Sequence, residues 1–526
     1  MENTANLYLQ QTRQCSIDPQ AYTEALFINH DQLNLNVFPR NLIDRHPLVL
    51  FVESLAYATF IPHHKQKLVY MLSAQRHKAI ELCQSGFAVY TIFTEGWHSQ
   101  GLREFLLTYP HLQLTCMTPS EWDSRSRLQE LQTEFPERVK IIPNGFFLAD
   151  LDRFIPKIAK TYRLETFYRE MRKVTGYLMA DGKPVGGKWN YDKDNRKSLP
   201  KGIAIPPVIT FHPDAITQEV IDLVQQFLPH TFGRLDKFIY GVTRSQALML
   251  ANDFIDRRLA NFGFYEDAIK TGEPFLFHSV LSLYLNNGLL LPQEICDLAI
   301  KAYAEEKAPL NSVEGLLRQI IGWREYIRVY YEAMMPYARN SNHFQFTYGL
   351  PAFYWHGNTD LACLRDALNH VLDYGFSHHI QRLMVLSNFS NLTFTDPRQL
   401  NRWFWFAYVD AYEWVELPNV LGMATFADGG ILASKPYVSG GNYLQKMGDC
   451  CRHCPYDVKQ KTGTKACPFN YLYWHFVDVY RADFQENGRV SLMTQMFDNK
   501  DENEQEQIRQ SARQFIDSLD RDITFS

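Results

Sequence analysis

The sequence predicts an N-terminal α/β domain on a doubly wound parallel sheet, followed by a large all-α domain. Three observations predict it. Short apolar runs alternate with helical segments over the first 150 residues or so, a Gly-, Pro-, Lys-, Asn- and Asp-rich break spans Asp181 to Lys201, and helical periodicity dominates after Pro206. The chain divides into a polar extension (1–20), the α/β domain (21–150), a linker with a long basic loop (151–235), the helical domain (236–500) and a charged C-terminal helix (501–526).

Residues 1–20 are polar and read as a mobile extension. Strands follow at Ala25–Ile28, His46–Val52, Phe87–Phe93, Gln113–Met117 and Lys140–Ile142, with a helix from Lys65 to Gln84 between the second and third. Sheets of this kind bind ligands beyond the carboxyl ends of their strands, where Asp31, Gln32 and Glu53 fall. Neither G-x-G-x-x-G nor G-x-x-x-x-G-K-[ST] occurs in this region, so an ordinary dinucleotide or P-loop site is unsupported. Helices are then expected over Gln246–Leu259, Gln293–Glu306 and Ser312–Met335. The end of the chain, Asp498 to Ser526, reads as a charged, solvated surface helix.

Composition limits the function classes. The 526 residues are 46% hydrophobic and 21% charged, which is ordinary globular usage and excludes wholesale disorder and small disulfide scaffolds. A net charge of −5 gives no global basic field, so any nucleic-acid binding must use a local patch. The N-terminus lacks a basic start and an apolar core, and Pro47–Pro62 is short and interrupted by Glu53. A cytoplasmic protein without membrane spans is expected, its nine cysteines reduced or metal-bound.

Four constellations carry chemistry. Cys451-Arg-His-Cys454 is followed by Cys467, with Cys363 upstream; tight cysteine turns present thiolates to one centre, and zinc and an iron–sulfur cluster both suit this spacing. Cys450 could replace Cys451, whereas Cys15, Cys83, Cys116 and Cys296 read as ordinary thiols. In Trp403–Trp414 seven of twelve residues are aromatic, a core stripe or a set of single-electron relays around Asp410. Adjacent His378 and His379 point about 100° apart if helical, so one can face a ligand as proton donor while the other supports it. His278-Ser279, with Ser282, offers hydroxyls and N–H groups near a helix start, a weak phosphate signal.

Together these residues resemble the photolyase/cryptochrome family, specifically its iron–sulfur bacterial branch with prokaryotic (6-4) photolyases. The resemblance runs from about residue 25 to about residue 500. Its marks are Pro62-His-His-Lys65, Ser73-Ala-Gln-Arg76, Thr175–Lys183, Gly186–Arg196, His278–Leu290, Arg318–Glu325, His378–Met384 and the four cysteines. It implies that 236–500 holds FAD, with Tyr265, His278, Ser279, Leu281 and Ser282 at its phosphates and ribityl chain. Gln319, Trp323, Glu325, Arg382 and Asp410 would surround its rings, and Glu416 would stand near flavin N5. Cys363, Cys451, Cys454 and Cys467 become ligands of a [4Fe-4S] cluster that pins loops.

The same resemblance implies light-driven electron transfer from reduced FAD to a flipped (6-4) photoproduct in damaged double-stranded DNA, by a monomer. His378 and His379 would lie at the lesion, with Tyr437 and Met423 lining its pocket. Trp403, Trp355 and Tyr412 would re-reduce the flavin, although Phe404 stands where relatives carry a redox-capable Tyr. Asp31, Gln32 and Glu53 would hold an antenna, 6,7-dimethyl-8-ribityllumazine, but Asn29-His30 replaces the Leu-Gly of relatives. Lys183, Lys188, Arg196, Lys197, Lys201, Lys435 and Lys446 are candidates for gripping DNA phosphates. A cyclobutane-dimer photolyase or a cryptochrome-like photoreceptor would share most of these residues.

Overall fold

The computed structural model describes residues 5–15 and 18–521. Five strands form one parallel sheet: β1 (Glu24–Phe27), β2 (Leu48–Ser54), β3 (Val89–Thr94), β4 (Gln113–Met117) and β5 (Val139–Ile142). Their order is β3-β2-β1-β4-β5, so the winding reverses between β1 and β4. Every residue of β2 is buried, which explains its unbroken apolar run: a central parallel strand is covered on both faces.

Helix Lys65–Gln84 is buried almost all round, because it packs on the sheet and is itself covered by the helices Asn6–Thr12 and Ala215–Phe227. Its Arg76 lies in a fully buried bidentate ion pair with Glu53 (2.7 and 2.9 Å) and reaches Glu219 at 3.0 Å. Glu219 also accepts the backbone N–H of Leu7 at 2.7 Å. The motif ending in Arg76 is thus a clamp that fastens sheet, helix and N-terminal segment together. Removing one member of such a buried pair costs about 3–5 kcal/mol.

Pro62-His-His-Lys65 joins the two domains. The His64 N–H donates to Phe406 O (2.8 Å), and its ring nitrogen bonds Val371 O (2.9 Å). The Lys65 N–H donates to Phe232 O (2.8 Å). Gly233 passes beside the ring with φ +79°, where an added Cβ would fall 1.9 Å from His64 Nε2, so only glycine fits.

Two terminal expectations are corrected. The segment expected to be mobile forms helix Asn6–Thr12 with Tyr8 buried, and Cys15 is disulfide-bonded to Cys83 across 68 residues rather than an isolated thiol. The C-terminal helix, Glu502–Asp517, buries Ile508, Ala512 and Ile516 against helix Pro468–Val479. It is docked by an apolar stripe, not solvated all round. Among the described residues no helix is long and apolar enough to cross a membrane.

The helical domain contains three π-helical turns: Arg318–Arg324, Gln381–Ser387 and Pro418–Ala424. The first interrupts the helix expected over Ser312–Met335, which is otherwise continuous from Leu310 to Met334. Such widened turns need packing partners to hold them and cluster at functional sites.

Candidate functional site

All three π-helical turns face one cavity of about 310 Å³. They deliver Gln319 and Trp323 from the first, Arg382 from the second and Met423 from the third. A fourth wall is the irregular segment Leu276–Leu281, in which Val280 adopts φ +58°. A β-branched residue is strained there, so the surroundings must hold it; Arg258, fully buried, donates to His278 O at 3.1 Å. Ser282 then opens helix Ser282–Asn286.

Arg382 organises the cavity floor. It donates to Asp410 at 3.0 and 3.1 Å, approaches Glu416 at 3.5 Å and lies 4.1 Å over the Tyr408 ring. Asp410 also accepts the Ser282 hydroxyl (2.7 Å), while its backbone carbonyl takes Asn286 Nδ2 (2.8 Å). The guanidinium is shared unequally, and burial pushes Glu416 up to about 8 against the opposing pull of Arg382, so it is mostly a neutral acid at pH 7. Glu266, a lining residue that sequence reasoning missed, is pushed up to about 7 by burial, and its Oε2 has no partner.

His278, His378 and His379 come together at one end, their nearest nitrogens all within 4.8 Å. This departs from the helical geometry expected of the pair, because His378 precedes the helix and only His379 begins it. His278 and His378 stack at 4.7 Å; burial, then the neighbouring imidazoles, holds both well below the usual histidine value. His278 Nε2 and both His378 nitrogens have no partner, so they are presented to whatever fills the cavity. The half-exposed His379 lies 3.4 Å from Asp267.

Of the residues expected around a flavin, His278, Ser279, Leu281, Ser282, Gln319, Trp323, Arg382, Asp410 and Glu416 line this cavity, as do His378, His379 and Met423. Three do not. Tyr265 packs on Phe277 at 5.6 Å. Glu325 is fully buried and turned away, accepting the N–H groups of Leu148 and Ala149 and the Arg324 guanidinium at 2.7–2.8 Å. Tyr437 lies partly buried near Arg196 and Arg489, outside the lining. Asn419 was missed: it accepts Trp323 Nε1 at 2.8 Å and lines the cavity itself.

Phe404 lines the cavity, with Trp403 5.1 Å behind it and Tyr354 5.2 Å beyond Trp403. Trp355 follows Tyr354 in helix Phe353–His356. Tyr412 instead stacks on His30 at 5.9 Å, at the domain junction.

Cys363, Cys451, Cys454 and Cys467, with Cys450, surround one small cavity. Helix Ala362–Tyr374 carries Cys363 and leads directly to the histidine pair. A single zinc with 2.3 Å bonds needs its sulfurs roughly 3.8 Å apart. Among the described residues only the histidine trio places three ligand atoms within 4.8 Å of one another; Cys450 lies within hydrogen-bond reach of Cys363 and of Cys451.

The surface near Tyr437 is basic: partial burial, then Arg489 and Arg196, pushes Lys435 below its usual value. Lys183, Lys188, Arg196, Lys197, Lys201 and Lys446 are exposed, and Arg196 is paired with Asp192.

In sequence, residues 26–240 match the family model for deoxyribodipyrimidine photo-lyase-related proteins. The chain is 39% identical over 506 residues, 95% of its length and all of the relative's, to a (6-4) photolyase of Agrobacterium fabrum. Two solved structures share the fold. An archaeal photolyase from Sulfolobus tokodaii matches with TM-score 0.57 at 14% identity, over 94% of this chain and 100% of that one. A bacterial class III photolyase from Agrobacterium tumefaciens matches with TM-score 0.54 at 14% identity, over 81% and 86%. The similarity to a relative spanned from end to end, together with this shared fold, places the chain in the photolyase/cryptochrome family.

Proposed function

We propose that this protein is a (6-4) photolyase that binds FAD in the 310 Å³ cavity and repairs flipped photoproducts in double-stranded DNA under blue light. The observation that carries this is the presence of His378 and His379 in the same cavity as the Ser282–Asp410–Arg382 set, in a chain 39% identical to a (6-4) photolyase. The cavity fits the cofactor by its chemistry: partnerless nitrogens on His278 and His378, and hydroxyls and a guanidinium converging on one apolar-walled space. When bound, FAD would supply light-driven one-electron chemistry, as a donor that also recovers the electron.

The chain's own residues do the rest. Ser279, Ser282 and His278 stand at the helix start, where diphosphate oxygens would find donors. Arg382, held by Asp410, fixes the ring end, and Glu416 holds a proton there at neutral pH. His379, half-exposed at the cavity with the Asp267 carboxylate 3.4 Å away, is the proton donor to the lesion. His378, buried and neutral, presents its two partnerless nitrogens to the base. Trp403 and Trp355 continue outward past Phe404 as a re-reduction route, and Cys363, Cys451, Cys454 and Cys467 hold a [4Fe-4S] cluster with a structural role. Lys435 and Arg489, near Tyr437, grip DNA phosphates. The protein works in the cytoplasm as a monomer.

Replacing both His378 and His379 by Ala tests the reading. Lost repair with retained FAD supports it, and retained repair refutes the proton-donor assignment.

A further inference from the structure

We infer that the antenna position of this chain is filled by its own side chains, so that it takes no ribityllumazine. The inference rests on the flavin reading above but is tested separately from it.

The position lies where the sheet's winding reverses, beyond the ends of β1 and β4. His30 occupies it. Its ring is buried, hydrogen-bonded through Nε2 to Tyr57 (3.1 Å), 4.5 Å from that ring, 5.3 Å from His98, and stacked on Tyr412 of the helical domain. The adjoining cavity, bordered by Asn29, Trp97 and His98, holds about 20 Å³, room for about one water molecule and not for a bicyclic ring.

The three residues expected to hold the chromophore are committed elsewhere. Glu53 gives both oxygens to Arg76, a correction to its reading as a ligand at a strand end. Asp31 accepts Asn29 Nδ2 (2.8 Å) and the Ser120 N–H (3.4 Å). Gln32, fully buried, donates to Thr118 O (3.1 Å), which leaves its Oε1 as the one partnerless oxygen of the set. The turn cannot swing open on its own, because the Leu33 N–H is bonded to Asn287 O of the helical domain (3.0 Å). The cause is in the sequence: Asn29-His30 puts two side chains where the site needs empty space. Tyr412, expected to relay electrons, serves here as the lid over His30.

The FAD-loaded protein is mixed with excess 6,7-dimethyl-8-ribityllumazine and passed through gel filtration. Flavin alone should co-elute, and the excitation spectrum of flavin emission should follow flavin absorption with no added antenna band. Stoichiometric lumazine on the wild-type protein would overturn the inference, whether or not the protein repairs DNA. The His30→Gly variant with Asn29→Leu should gain lumazine binding. If it folds with unchanged flavin content and still retains none, the exclusion does not come from these side chains. If it fails to fold, the wild-type measurement decides alone.

Discussion

Replacing Glu416 by Gln should remove a pH dependence from the stability of the folded chain. The carboxyl is buried beside Asp410 and shares an arginine already engaged by that neighbour, and it is pushed up from 4.5 to about 8, by burial first. Its folded value lies above its unfolded one, so the folded chain holds this proton more tightly. The stabilisation is complete below pH 4.5 and is lost as pH rises toward 8. At about 1.4 kcal/mol per pH unit, the loss between pH 5 and 8 is roughly 4 kcal/mol. An unfolding entropy of about 2.1 cal/mol/K per residue converts that to about 4 °C in Tm for a chain of 526 residues. Gln keeps the volume and an acceptor for Arg382 but cannot ionise. Thermal unfolding of both proteins across pH 5–8 should therefore show wild-type Tm falling relative to the variant by about 4 °C. A constant difference across that range would mean that Glu416 is ionised throughout and cannot serve as a proton store beside the flavin.

Other outcomes follow from the same geometry. Arg76→Met leaves Glu53 buried without its partner and should cost about 3–5 kcal/mol in unfolding experiments while flavin content is unchanged; flavin loss at unchanged stability would contradict the clamp assignment. His379→Ala should lower repair about 10²–10⁴-fold at full flavin occupancy, the usual size of a lost general acid. An unchanged rate would remove His379 from the chemistry. Cys454→Ser should release iron and sulfide and lower Tm, and an iron content equal to wild type would exclude that thiol as a ligand. Replacing Lys435 and Arg489 by Ala should flatten the dependence of log DNA affinity on log salt by about 2. An unaltered slope would place the DNA elsewhere.

The sheet was legible because its chemistry is local. Each strand is an apolar run closed by a turn, and Gln113–Met117 and helix Lys65–Gln84 fall at the expected boundaries. What escaped reading depends on partners distant in sequence. Glu53 looks like a free acid at a strand end until the chain brings Arg76 back from 23 residues away. Cys15 meets Cys83 only because the first helix folds onto a helix 68 residues on. Glu325, inside a motif full of cavity residues, turns the other way to hold Leu148 and Ala149. The π-helical turns have no periodic signature, so Asn419 could not be placed beside the expected residues, and Glu266 reaches the cavity from the end of helix Leu259–Tyr265, outside every motif read as a site. The serines, Arg382, Asp410 and the histidine pair, which lie in dense motifs, share one cavity.

The most direct test is repair itself. Protein with fully reduced flavin is illuminated with blue light in the presence of oligonucleotides carrying one (6-4) photoproduct or one cyclobutane dimer, with dark controls. The account predicts light-dependent loss of the (6-4) lesion alone. Repair of neither lesion by flavin-loaded protein, or of the cyclobutane dimer alone, would contradict it.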